Sequence, residues 1–219
     1  MKTTVRTLLK ESENKELYQY AYAGMELSRR LYNAALFRLR QNFTARNKPA
    51  LTANEEQVMD EIMLTVQATG MKAPKALISY LFLEKLMRAT GNPDFFSGLP
   101  MQTAQEVLKQ AVRSFKGWFS ALRSYKKDPT AFTGRPKMPK YMKQDSLNTI
   151  VFTNQDCVLY TDNGRSRLKF PKTGASVFGV THPEGGRLME VRLKPFHGRI
   201  LLLCTFEAPD PEVRSPGPY

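Results

Sequence analysis

Residues 99–119 read L-P-M-Q-T-A-Q-E-V-L-K-Q-A-V-R-S-F-K-G-W-F, and residues 134–141 read G-R-P-K-M-P-K-Y. In the first stretch Ala104, Leu108, Ala111, Val112, Phe115, Trp118, Phe119 and, just beyond it, Leu122 recur at helical spacing. Lys109, Arg113, Lys116, Arg123 and Lys127 form a second stripe about a third of a turn away. A solvated face carries such charges too, but five cations without an interleaved acid favour phosphate contact. The second stretch is a basic loop stiffened by Pro136 and Pro139. After Tyr141 the apolar period changes from helical to two, so a helical part gives way to a β part. That order points to a nucleic-acid grip rather than a small-molecule pocket.

Upstream, residues 3–9 are β-branched and apolar and read as a strand, followed by a charged break. Residues 16–42 read as a long helix, with Leu17, Ala21, Gly24, Ser28, Leu31 and Ala35 on one stripe. Thr52 and Glu55 have the spacing of a capping box for a helix through Thr69, which Gly70 ends. Pro74 is placed to open a third helix that Gly91 ends. Downstream, residues 149–153, 157–160 and 167–170 read as short strands, with Asp162-Asn163-Gly164 as a hairpin turn. Residues 188–194 alternate, and Phe196-His197-Gly198 turns into the apolar run 200–206. Short antiparallel strands at this spacing predict a small barrel, completed by the strand at residues 3–9. The fold class is therefore α+β: a small antiparallel β-barrel of wedge or OB-like type with an inserted helical bundle.

The chain has 219 residues, 33 Lys+Arg against 20 Asp+Glu and a net charge of +13. An excess this large points to a polyanionic partner. No run of 18 apolar residues and no apolar signal core is present, which argues against a membrane partner. Cys157 and Cys204 sit in apolar runs and read as reduced core residues of a cytoplasmic protein. There is no CxxC pair for zinc, no P-loop and no GxGxxG. The acid pairs Glu55-Glu56 and Asp60-Glu61 read as a solvated helix face rather than a metal site, and His182 and His197 as turn residues. Trp118 and Phe119 read as core rather than as a base-stacking platform.

The positive signal is Lys126, Lys127, Arg135, Lys137, Lys140 and Lys143 against the single acid Asp128 between residues 126 and 143. Arg165, Arg167, Lys169 and Lys172 continue the basic surface on a hairpin. Such side chains supply affinity and salt dependence, not sequence choice. Gln102 and Gln105 are of the type that reads base edges, since an amide pairs bidentately with adenine; a polar first helical turn has the same composition.

Four stretches carry a resemblance. L-S-R-R-L-Y-N-A-A-L at residues 27–36 resembles an arginine-and-YN signature. Residues 102–119 resemble a Q-x-x-Q-x-x-L-K-x-A-x-x-x-F-x-x-F-F helix, residues 134–141 a G-x-P-x-F-K loop with Met138 at the aromatic position, and residues 167–172 an R-L-K-L-P-K strand. In this order they resemble the transposon-encoded OrfB/TnpB proteins, relatives of the compact type V CRISPR effectors. The resemblance implies a wedge domain at residues 1–14 and 142–209, a helical recognition lobe at 15–141, and a linker at 210–219 leading to an absent nuclease half. It implies a structured guide RNA and a double-stranded DNA target as partners, with Met101, Gln102, Gln105, Thr149 and Thr153 near the DNA motif that flanks the target. It places magnesium and zinc in the absent half, so no catalytic or metal residue is expected in this chain. Two other readings stay open: a nuclease-less DNA-binding repressor, and a generic structured-RNA-binding protein.

Overall fold

The computed structural model describes residues 1–46 and 48–207; the expected linker at 210–219 and the last two residues of the expected wedge domain lie outside them. The chain is α+β and divides into two units. One comprises Met1–Tyr22 and Thr149–Tyr219, the other Ala23–Asn148. The break points lie inside the first long helix and just before the first strand of the β part.

The helical unit takes α1 (Lys15–Thr44) from Ala23 onward, then α2 (Ala53–Thr69), α3 (Tyr80–Ala89) and α4 (Met101–Lys127). Its core is apolar and continuous: Leu31, Ala35, Leu36 and Leu39 of α1, Val58 and Ile62 of α2, Phe82, Leu83 and Leu86 of α3, and Leu108, Val112 and Phe115 of α4. The expected capping box is present. The Thr52 side chain accepts from the Glu55 backbone, and the Glu55 carboxylate accepts from Thr52 N at 3.0 Å. Gly70 closes α2 in the left-handed conformation at φ 68, where an L side chain would be strained. The third helix starts later than Pro74. Asn42, which is buried, donates to the Lys75 carbonyl at 2.9 Å and so holds the segment ahead of the helix. Ser79 then provides the cap, accepting from Phe82 N at 3.2 Å.

The β unit contains β1 (Lys2–Leu8), β2 (Ile150–Thr153), β3 (Val158–Asp162), β4 (Arg165–Lys169), β5 (Ser176–Phe178), β6 (Arg187–Phe196) and β7 (Arg199–Glu207). All pairings are antiparallel, in one sheet of order β1-β7-β6-β2 and a second of order β3-β4-β5. Strand β1 does come from the far end of the chain, pairing Val5 with Cys204. The ladders do not close into a barrel among the described residues: β1 and β2 are the outer strands of the larger sheet. The two-residue Asn163-Gly164 hairpin commits β3 to β4, while β2 takes its ladder from β6. In the turn after β2, Asp156 Oδ2 accepts from both Thr153 N and Thr153 Oγ1 at 3.2 Å. Aromatic packing links the sheets within the unit: Phe152 on β2 meets Phe170, just beyond β4, at 5.7 Å between ring centroids, and Tyr20 lies 6.3 Å from each. The two-residue turns β3–β4 and β6–β7 each have two consecutive residues at positive φ, Asn163 (48) with Gly164 (74) and His197 (45) with Gly198 (71), the twist such a hairpin needs.

Candidate nucleic-acid interface

Helix α4 hands its chain to the basic loop, and the loop is held down by its backbone. Trp118 Nε1 donates to the Pro136 carbonyl at 3.2 Å, and Arg40 Nη1 to the Pro139 carbonyl at 2.6 Å. Asn33 grips Met142 from both sides, its amide nitrogen donating to the Met142 carbonyl at 2.9 Å and its oxygen accepting from Met142 N at 2.8 Å. Met138 and Met142 pack against the helical core, and the Arg40 guanidinium lies 5.0 Å from the centroid of the Tyr141 ring. Residues that face inward therefore alternate with Arg135, Lys137, Lys140 and Lys143, which are all exposed. Among the described residues these four cations form no ion pair, and neither do Lys116, Arg123, Lys126 and Lys127. Asp128, the single acid between residues 126 and 143, is engaged locally. It caps a short 3-10 turn, accepting from Thr130 N at 3.0 Å, and the Thr130 hydroxyl bond holds its carboxyl below the usual carboxylate range.

The stripe along α4 differs from its sequence reading. Glu106 sits on it, with Lys109 Nζ at 2.6 Å and Arg113 Nη2 at 3.6 Å. The acid lies three and seven residues before these cations, on the same helical side, so the N-terminal half of the stripe is internally compensated. Lys109 also lies 5.2 Å from the Tyr80 ring centroid. The uncompensated part begins at Lys116.

The expected base-reading residues lie on both units. In the helical unit Met101 is exposed and its sulfur accepts from Arg88 Nη2 at 3.4 Å; Gln102 and Gln105 are half-buried one turn apart. In the β unit Thr149 is half-buried, and the Thr153 hydroxyl serves the turn after β2, donating to Asp156 and accepting from Gln155 N at 3.3 Å. On β4, Arg165, Arg167 and Lys169 alternate onto one face. Arg165 and Lys169 are exposed, while Arg167 pairs with Asp162 at 3.1 Å. Exposed Lys172 follows in a left-handed turn at φ 57.

Two of the four acids singled out in the sequence are held by cations. Glu61 makes a two-pronged contact with Arg38, both bonds at 2.8 Å. Glu55 is held by Lys48 at 2.6 Å. Cys157 and Cys204 are free and buried, and burial pushes the Cys204 thiol up to about 12. Among the described residues no group of three or more His, Cys, Asp or Glu side chains is gathered, and no helix is long and apolar enough to cross a membrane. Trp118 packs edge-on to Phe43 at 5.0 Å and Phe115 at 5.2 Å, so it is a half-buried ring against the core whose N–H also anchors the basic loop. The anchoring by Arg40 and Asn33 had no signal in the sequence, because both lie some hundred residues from the carbonyls they bind.

No family model matches this chain, and no curated protein matches it.

Proposed function

We propose that this chain binds a structured guide RNA and, with it, recognises the short DNA motif beside a target, as the N-terminal half of an RNA-guided DNA endonuclease of TnpB type. In this reading the β unit is an open version of the wedge-type, OB-like barrel, and the helical unit is the recognition lobe. The double-stranded DNA target is the second partner, the work is done in the cytoplasm, and cutting with its metal chemistry belongs to a C-terminal nuclease half. The observation that carries the proposal is the strapped loop: four cations without an ion pair among the described residues, on a backbone whose Pro136, Pro139 and Met142 carbonyls are already bonded. A cation on a fixed loop loses less backbone entropy when it meets a phosphate than one on a free loop, which favours a polyanion of defined shape over diffuse attraction.

The test is binding of structured RNA and of duplex DNA across a salt series, for the parent and for a variant with Arg135, Lys137, Lys140 and Lys143 all replaced by Ala. The variant should bind more weakly irrespective of sequence, and its log–log salt slope should flatten by roughly one unit per lost phosphate contact. Unchanged affinity and slope would reduce this loop to an ordinary surface. RNA retained through purification should map to one structured transcript rather than to a cross-section of cellular RNA.

A further inference from the structure

The three-stranded sheet of the β unit has one buried face and one open face. Leu159, Leu168 and Val177 stand opposite one another across β3, β4 and β5, and Leu168 and Val177 are buried. The alternate positions therefore face away from that core. They form two cross-strand rows, Tyr160–Arg167–Phe178 and Val158–Lys169–Ser176, with Asp162–Arg165 at the hairpin end. Three large apolar side chains on this face are exposed: Val158 at 57%, Phe178 at 55% and Tyr160 at 38%. Ordinary surface strands carry polar groups at such positions; here two aromatic rings flank a guanidinium.

That guanidinium is fixed. Arg167 Nε donates to Ser176 Oγ at 2.9 Å and Nη1 to Asp162 Oδ2 at 3.1 Å, while its carbon lies 4.7 Å from the Phe178 ring centroid and 6.0 Å from that of Tyr160. Asp162 is thereby used internally. Arg165 and Lys169 beside it have no carboxylate partner among the described residues. The face is thus aromatic and net positive, and a pocket lined by Asp162, Asn163, Arg165 and Phe178 lies at its hairpin end.

We infer that this face is a stacking platform for unpaired nucleotides of the bound RNA: bases stack on Tyr160 and Phe178 while Arg165 and Lys169 meet the adjoining phosphates. The charge decides against an apolar protein surface as occupant. The open rings decide against a paired helix, whose bases are already stacked on one another. The choice of RNA over single-stranded DNA rests on the proposed function.

The experiment uses the full chain with two probes, a labelled single-stranded oligouridylate and a blunt RNA duplex. Tyr160→Leu and Phe178→Leu should each weaken oligouridylate binding by about 5- to 150-fold, the worth of one stacked base. Duplex binding and the salt slope should stay at parental values. Tyr160→Phe, which keeps the ring, should bind like the parent. These side chains are exposed, so folding is checked by an unchanged melting curve. Equal losses on both probes, or no loss, overturn the platform. An oligodeoxythymidylate that binds more tightly than the oligouridylate overturns the assignment to RNA. Self-association of the parent that the leucine variants abolish makes the face a contact between copies, and likewise overturns the inference. If structured RNA binds the parent and the oligouridylate does not, the platform fails and the proposed function stands; if no nucleic acid binds, both fail.

Discussion

Glu55 stands in the first turn of α2, where the Thr52 amide, threonine hydroxyls and a lysine converge on one carboxylate. Its pKa is lowered from the usual 4.5 to about 2, first by the hydrogen bond from Lys48, then by bonds from Thr44 and from the Thr52 backbone. Because the folded value lies below the unfolded one, the ionised carboxylate stabilises the fold above about 4.5, and that contribution is lost as pH falls towards about 2. The expected result for Glu55→Gln is a less stable protein at neutral pH whose deficit against the parent shrinks through that acidic window. Denaturant melts at a series of pH values measure this; a deficit that stays constant down to pH 2 would show that the charge of Glu55 contributes nothing.

At the scale of elements, the segment that follows α4 is held by a few side-chain grips rather than by secondary structure. Asn33 satisfies both backbone groups of Met142, and Asn148 continues the strap, its amide nitrogen donating to Ser28 Oγ at 3.0 Å and to Gln110 Oε1 at 3.0 Å. Asn33→Ala leaves two partly buried backbone groups unpaired and should cost about 1–3 kcal/mol in chemical denaturation. It should also weaken nucleic-acid binding although Asn33 carries no charge, because the cations of the loop lose their fixed backbone. A variant as stable as the parent, with parental affinity, would mean that the loop holds its shape without this clamp.

For the whole molecule the connectivity matters most. The helical unit is one continuous segment, Ala23–Asn148, whereas the β unit is assembled from both ends of the described chain, with Lys2 opposite Glu207. Pairing of β1 with β7 must close a loop of nearly the full chain length, a cost that local helical contacts do not carry. Refolding should therefore protect the backbone amides of α1, α2 and α4 before those of β1 and β7. Pulsed hydrogen exchange reads the order directly, and simultaneous protection of both sets would show that the units fold as one cooperative body.

Local physics made much of this molecule legible in advance. The Thr52–Glu55 box, the Gly70 stop, the Asn163-Gly164 turn and the apolar stripe of α4 each depend on residues within a few positions of one another, so spacing alone was enough to find them. The cations of the loop were legible as charges. Their lack of a carboxylate partner among the described residues was not; the compensation of Lys109 and Arg113 by Glu106 was open to spacing alone, three and seven residues apart, but was not read there. The tertiary structure decided the rest. It placed the start of α3 at Tyr80 behind the Ser79 cap, with a distant asparagine bonded to the Lys75 carbonyl ahead of it, and it separated two sheets where the strand spacing predicted one barrel, β3 pairing with β4 through its tight hairpin and β2 with β6. It also showed that Tyr160 and Phe178, unremarked among other strand aromatics, lie open on the same face. Sequence determines which groups a chain can offer within a turn or a hairpin; which distant group answers each one, and which side chain is left facing water, is settled by the packing of the whole chain.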